Sequence, residues 1–211
     1  MDLTAVAAEA RASLDATHRA REAVLRSCRS MIQASAAAIR ATHREEFALA
    51  EERLAEAAGH LAATEEALAG GHHEVRHAGF LHDAAKEFAE ARLTLAFVRG
   101  DALPGPAELG VSVPAYLNGL AEAASELRRR LLDLLRRDDL DGCERLLGVM
   151  DDVYGVCVTL DFPDAVTGGL RRTTDALRAV LERTRGDFTT AIVQRRLQHA
   201  IESRWPAGEP P

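Results

Sequence analysis

The chain has 211 residues, which is long enough to bury a substantial core and suits a single domain. Its 33 acidic residues exceed its 26 lysines and arginines, and the net charge of −7 excludes a general electrostatic attraction to nucleic acid. Aromatic residues make up only 4% of a chain dominated by alanine and leucine, which favours helix throughout.

The cysteines and the apolar runs indicate a cellular location. The three cysteines are scattered without CxxC spacing, which argues against a disulfide framework. No window has the length and apolarity of a signal peptide core or of a membrane span. We therefore expect a soluble, cytoplasmic protein without membrane association.

The first third of the chain predicts long helices. Apolar residues recur at helical spacing, with a break predicted near residues 43–46 and an end at Gly70-Gly71. The next helix is predicted to begin within residues 72–83 and to run to Arg99, where Gly100 follows as a C-terminal cap.

A Pro/Gly-rich loop then leads into a strongly amphipathic helix. Pro114 stands in its first turn, Ser112 is placed to cap it, and the helix runs to about Arg137. Further helices are predicted over 140–160, from Pro163 to about Arg185, and over 188–203. Since no alternating strand pattern occurs, we predict an all-α bundle of about seven helices. It forms a single domain over residues 1–203, followed by a flexible tail over 204–211.

Two pairs of glutamates lie on successive helices. Glu87 and Glu90 are three residues apart, and Glu122 and Glu126 are four apart. Helical wheels place both pairs on polar faces, so spacing alone favours a solvated surface. Each like-charge pair costs a few tenths of a kcal/mol, roughly, in an isolated helix. A hard cation such as Mg²⁺, which prefers oxygen ligands, would remove that repulsion if the pairs converged.

The order of these features resembles the translin family. The segments that carry the resemblance, which runs from Arg19 to Gln198, are residues 21–44, 103–139 and 147–187. The central segment is the most specific, with Tyr116-Leu-Asn-Gly119, then an acid, then Ser125-Glu-Leu127. The resemblance implies an α-helical fold of seven helices whose subunits assemble into hollow octamers. It also implies single-stranded RNA or DNA as the ligand.

The resemblance is closer to the TRAX branch, which carries a Mg²⁺-dependent endoribonuclease site of carboxylates inside the shell. Glu87-Phe-Ala-Glu90 matches the glutamate-x-x-glutamate of that branch. Glu126 matches its central glutamate. Glu122 stands where the branch has an aspartate, so the side chain here is one methylene longer. These four glutamates are thereby implied as catalytic residues and as ligands of Mg²⁺, with Mn²⁺ as a substitute. The implied assembly is a homo-octamer.

The family also carries an Arg/His-rich nucleic-acid-binding stretch. The residues of this chain at that place are His72, His73, Arg76, His77 and His82. Histidines can bind phosphates and stack on bases, although an ordinary polar helix end is an equal alternative. Arg129 and Arg130, beside the second acidic pair, would either hold a phosphate or relieve the charge.

Three other functions remain open at this point. The protein could be a translin-type binder of single-stranded RNA or DNA without catalysis, or an unrelated helical scaffold. Residues 73–77 also fit HExxH, in which His73 and His77 would bind zinc and Glu74 would act as a base. Zincins pair that helix with a β-sheet, and none is predicted here, so the helical metalloprotease is the remotest option.

Overall fold

The computed structural model describes residues 2–204, and every regular element in that range is an α-helix. The helices are α1 Leu3–His43, α2 Phe47–Ala67, α3 His73–Arg76, α4 Gly79–Arg99, α5 Pro106–Leu109, α6 Val113–Arg136, α7 Leu140–Val158, α8 Asp164–Thr167 and α9 Leu170–Arg204. The all-α fold is confirmed. Six of these helices are long, whereas α3, α5 and α8 are single turns. None of the helices between residues 2 and 204 has the length and apolarity needed to cross a bilayer.

The predicted helix starts and stops hold at most positions. The break between α1 and α2 falls at residues 44–46, where Glu45 adopts a positive φ of 62°. Gly100 ends α4 in the left-handed conformation, with φ 76°. Ser112 caps α6, since its Oγ accepts a hydrogen bond from the Ala115 N–H at 3.4 Å.

Two predicted helices differ from the structure. The helix expected to begin within residues 72–83 is divided into α3 and α4, because Ala78 has an extended backbone with ψ 137°. The two helices predicted after Pro163 are instead the single turn α8 and a continuous α9. Gly186 does not interrupt α9, because Thr184 and Phe188 on either side of it are buried in the core. The predicted tail, apart from Arg204 at the end of α9, lies outside the described residues.

The core consists of two clusters that meet at α4. One cluster joins α1 and α2 to the face of α4 that carries Phe88 and Leu95. The other joins α6, α7 and α9 to the face that carries Leu93 and Phe97. Helix α4 is therefore covered on two sides, and this central position determines how its polar residues are placed.

Candidate functional site

The site is built where α4 and α6 come into backbone contact at Gly119. A Cβ atom at this glycine would lie 2.8 Å from the Lys86 carbonyl oxygen and 2.9 Å from the Glu90 nitrogen, so no side chain fits. Glu122 follows Gly119 by three residues and therefore projects from the same side of α6. This close approach places the carboxylates of α6 opposite those of α4.

Three of the four predicted glutamates meet in space. Glu87, Glu90 and Glu122 each bring a carboxylate oxygen to within 4.8 Å of the other two. Among residues 2–204, no other group of three or more histidine, cysteine or acidic side chains has this spacing. We call these three residues the carboxylate cluster. All three donors are carboxylates, which is the donor type that Mg²⁺ prefers.

Glu90 is the buried member of the carboxylate cluster, with 8% of its surface exposed. Its burial, together with the nearby charges of Glu122, Glu87 and Glu126, raises the pKa of Glu90 to about 8, and Lys86 opposes this rise. The cluster therefore binds a proton at neutral pH more readily than isolated glutamates would. A bound divalent cation would relieve the same repulsion.

Glu126 is held next to the carboxylate cluster by a histidine. The Nε2–H of His43, the last residue of α1, donates to Glu126 Oε2 at 2.7 Å. This hydrogen bond lowers the pKa of Glu126, the charge of Arg129 lowers it further, and partial burial opposes both. Glu126 is therefore ionised at neutral pH and has a fixed orientation.

Lys86 supplies a positive charge inside the carboxylate cluster. Its Nζ lies 2.5 Å from Glu122 Oε2 and 3.3 Å from Glu87 Oε1. Burial acts to lower the pKa of Lys86, but the hydrogen bonds and charges of Glu122 and Glu87 outweigh it and raise that pKa. The ammonium group is therefore charged and bridges two of the three clustered carboxylates.

The expectation of a solvated polar face is wrong for part of α4. Glu90, Thr94 and Phe97 lie along the side that the helical wheel assigns to water, yet all three are buried. The reason is that α6 covers this side of α4 through the contact at Gly119. Glu87 and Glu122 are only partly buried, with about a third of each side chain exposed (31% and 32%).

Three of the predicted nucleic-acid-binding residues line one cleft. Arg76, His77 and His82 face a cleft of about 640 Å³ between α2, α3, α4, α8 and the loop before α6. The His82 ring packs against Gly168, at which a Cβ atom would lie 2.7 Å from the ring. The Arg76 guanidinium is engaged by Glu65 at 2.8 Å.

The other predicted binding residues are not part of this cleft. His72 lies 3.3 Å from the Thr17 hydroxyl on α1, and His73 is exposed. Arg129 is exposed, whereas Arg130 is largely buried and pairs with Glu45 in the turn between α1 and α2. The structure thus divides the predicted basic residues among three places.

The HExxH pattern does not form a zinc site. Its residues lie on the single turn of α3, where the Glu74 carboxylate accepts a hydrogen bond from Thr17 at 3.4 Å. Neither His73 nor His77 belongs to the one group of potential metal ligands found within residues 2–204. This geometry lends no support to metalloprotease chemistry.

Sequence reasoning did not assign His43, Lys86 or Gly119 to the site. His43 could be found only as the last residue before a predicted helix break. Lys86 had one signal, since it is the only lysine in the chain and it lies next to Glu87. Gly119 had the family motif as its signal, because a glycine inside a predicted helix indicates a close approach.

Comparison with known proteins identifies the family. A crystal structure of AfC3PO is 31% identical to this chain and superposes with a TM-score of 0.81, covering 92% of this chain and 99% of AfC3PO. The structure of AfC3PO in complex with duplex RNA is 32% identical and superposes with a TM-score of 0.80 over 92% and 98% of the two chains. The chain belongs to the translin/TRAX-type C3PO family. The resemblance to the translin family is thereby confirmed, while the closer match to the TRAX branch stays a prediction.

Two further comparisons extend this result. The apo structure of NeC3PO shares the fold, with a TM-score of 0.76, 16% identity and coverage of 90% and 97%. The uncharacterized protein MJ0175 of Methanocaldococcus jannaschii is 34% identical over 126 residues, which is 59% of this chain and 56% of that protein. The chain thus matches about half of that relative's length. No protein-family model matches the chain.

Proposed function

We propose that this C3PO family member is a TRAX-like, Mg²⁺-dependent endoribonuclease that acts on single-stranded RNA. The observation that carries the proposal is the meeting of Glu87, Glu90 and Glu122 from two helices of the C3PO fold. That AfC3PO forms a complex with duplex RNA supports RNA as the ligand class. We expect Mn²⁺ to replace Mg²⁺, because both accept carboxylate oxygens.

The carboxylate cluster would hold the metal directly or through water. When bound, Mg²⁺ supplies a water of lowered pKa and a positive charge for the scissile phosphate. Glu87 and Glu122, which are partly exposed, would be accessible to RNA, whereas Glu90 lies buried beneath them. Glu126, which His43 keeps ionised and oriented, would accept a hydrogen bond from the attacking water and align it.

The proposal is tested by incubating the purified protein with labelled single-stranded RNA in Mg²⁺, Mn²⁺ or EDTA. Cleavage is expected with either metal and not with EDTA. Glu90→Gln and Glu122→Gln should each reduce cleavage about 100-fold, since each removes charge that holds the cation. Glu51 forms an ion pair with Arg92 elsewhere on the surface, so Glu51→Gln is the control and should cleave normally. Normal cleavage by both cluster variants would overturn the site assignment.

A second candidate function is binding of single-stranded RNA or DNA without catalysis. The observation that favours it is the ion pair of Lys86, which already stabilises the carboxylate cluster without a metal. In that case Arg76, His77 and His82 in the 640 Å³ cleft would make the principal contacts to nucleic acid. RNA binding that persists in EDTA, with no cleavage in either metal, would establish this alternative.

We further propose that the protein forms a homo-oligomer, an octamer as the family resemblance implies, in the cytoplasm. Val193, Leu197 and Ile201 recur every four residues on α9, and about half or more of each is exposed (58%, 60% and 49%). An apolar stripe of this kind suits burial against a second copy of the chain. The carboxylate cluster would then face the interior of the shell.

A further inference from the structure

Lys86 differs chemically from every other cation available to the carboxylate cluster. It is the only lysine in a chain whose other strong bases are all arginines. A guanidinium is a planar fork, whereas the lysine ammonium is a compact point charge with three donors on a flexible stem. Its size and charge distribution therefore approach those of a small metal ion more closely than an arginine could.

The Lys86 ammonium contacts two carboxylates of the proposed metal site. Nζ lies 2.5 Å from Glu122 Oε2 and 3.3 Å from Glu87 Oε1. A Mg²⁺ ion about 2.1 Å from the same Glu122 oxygen would lie within about 5 Å of Nζ. Two cations at that separation repel one another in a partly buried site, so the ammonium and the metal compete for Glu122.

The surroundings of Lys86 allow its ammonium group to move. Its side chain is 19% exposed, and the Glu87 and Glu122 side chains that it contacts are about a third exposed, so this part of the site is partly open to solvent, while Ala89 and Glu90 of the same helix are buried. The four-carbon stem can rotate the ammonium towards solvent without displacing the backbone, which Gly119 fixes against α6. The carboxylates would stay in place when the cation is exchanged.

We propose that Lys86 is an internal counter-ion of the carboxylate cluster, which neutralises Glu122 and Glu87 in the metal-free protein and is displaced when a divalent cation binds. Lys86 thereby weakens metal binding and reduces the repulsion between the carboxylates when no metal is bound. This inference rests on the metal site of the proposed function. It predicts that removal of the ammonium strengthens the binding of a divalent cation.

The test is titration calorimetry with Mn²⁺ alone on the full chain, comparing the wild type with Lys86→Met and Lys86→Gln. Both variants remove the charge, and we expect about tenfold tighter binding, the effect of removing one like charge a few ångströms away. Lys86→Arg keeps the charge and should bind no tighter than the wild type. Arg92→Gln, which removes a cation from the same helix where it pairs with Glu51, is the matched control and should leave the affinity unchanged.

Thermal unfolding supplies a second readout. In EDTA, Lys86→Met should have a lower Tm than the wild type, because Glu122 and Glu87 then lack their counter-ion. Added Mn²⁺ should raise the Tm of the variant more than that of the wild type. If Lys86→Met fails to fold, Lys86→Gln retains a polar group and serves for the same comparison.

The outcomes separate this inference from the proposed function. Tighter binding by either neutral variant supports the role of Lys86, including a case in which only the variant binds. Equal or weaker binding by both neutral variants, with measurable binding by the wild type, overturns the inference and leaves the metal site intact. Absence of binding in the wild type and in both variants overturns the metal site and this inference together.

Discussion

At the scale of single residues, the pair of His43 and Glu126 fixes one carboxylate of the site. The hydrogen bond of 2.7 Å from His43 Nε2 lowers the pKa of Glu126. Because the folded-state pKa is lowered, this interaction stabilises the fold above the pKa of unfolded glutamate and is lost as the pH falls through the folded value. His43 itself is held in the core, with 2% of its side chain exposed.

We predict that His43→Gln raises the pKa of Glu126 towards that of an ordinary glutamate, because a neutral amide stabilises a carboxylate less well than the histidine does. The measurement is a carbon-detected NMR titration of the side-chain carboxyl group. Glu45→Gln, which removes the partner of Arg130 in the adjoining turn, is the control and should leave this pKa unchanged. An unaltered Glu126 pKa in His43→Gln would contradict the assignment.

Glu90 has the opposite pH dependence. Burial and the charges of Glu122, Glu87 and Glu126 raise its pKa to about 8 from the ordinary value of 4.5. The folded state therefore binds more protons than the unfolded state between these values, so the stabilising effect present below pH 4.5 is lost as the pH rises through 8.

We predict that the metal-free protein in EDTA loses stability as the pH rises from 4.5 towards 8. The free energy of unfolding should fall by on the order of 3 kcal/mol over this range. Glu90→Gln should remove most of this slope, since the amide does not titrate. The free energy of unfolding in urea is measured across that range, with Glu52→Gln, an exposed change on α2, as the control. A slope unchanged in Glu90→Gln would mean that other groups cause it.

At the scale of helices, the contact of α4 with α6 at Gly119 determines whether a site exists. The glycine allows the backbones to approach, and the approach brings the carboxylates of the two helices together. Elsewhere the two helices are joined by ordinary packing of Leu93, Phe97, Leu120 and Leu127. The core thus holds the helices together, while the glycine sets their separation at the site.

We predict that Gly119→Ala destabilises the protein by about 1–3 kcal/mol, because the new Cβ would meet backbone atoms that cannot move aside. The carboxylates would also separate, so Mn²⁺ affinity should fall. Gly148→Ala on α7 is the matched control, since nothing lies within 4 Å of its Cβ position. It should keep the affinity and gain about 0.5–1 kcal/mol. Urea unfolding and calorimetry measure both effects, and a neutral Gly119→Ala would show that the helices can adjust.

The same helices indicate how far the sequence could predict the structure. Helix type, the break near residues 43–46 and the cap at Ser112 follow from local chemistry, and all were predicted. The continuity of α9 across Gly186 was not predicted, because the burial of Thr184 and Phe188 overrides the helix end that the glycine indicates. A helical wheel also cannot tell which helix will cover a polar face. For this reason the burial of Glu90 and the hydrogen bond between His43 and Glu126 could be found only from the tertiary structure.

At the scale of the whole molecule, the first part of α1 and the last part of α9 expose apolar side chains. Leu3, Val6 and Leu14 on α1 are exposed, as is the α9 stripe of Val193, Leu197 and Ile201. Isolated surface apolar residues are common, but a stripe at a spacing of four residues on one helix is typical of a face that meets another helix. The net charge of −7 would otherwise favour monomers in solution.

We predict that Leu197→Asp, alone or with Val193→Asp, disrupts the proposed assembly, because it would place a charge in the apolar interface that we propose for α9. Light scattering should give the wild type a mass near eight copies of the 22.8 kDa chain and the variants a much smaller mass. His199→Asp introduces an acid on the opposite side of α9, where the side chain is 66% exposed, and should assemble normally. A monomeric wild type, or variants that assemble as it does, would exclude the α9 stripe as the interface. The carboxylate cluster would then have to act in an open site, without an enclosing shell.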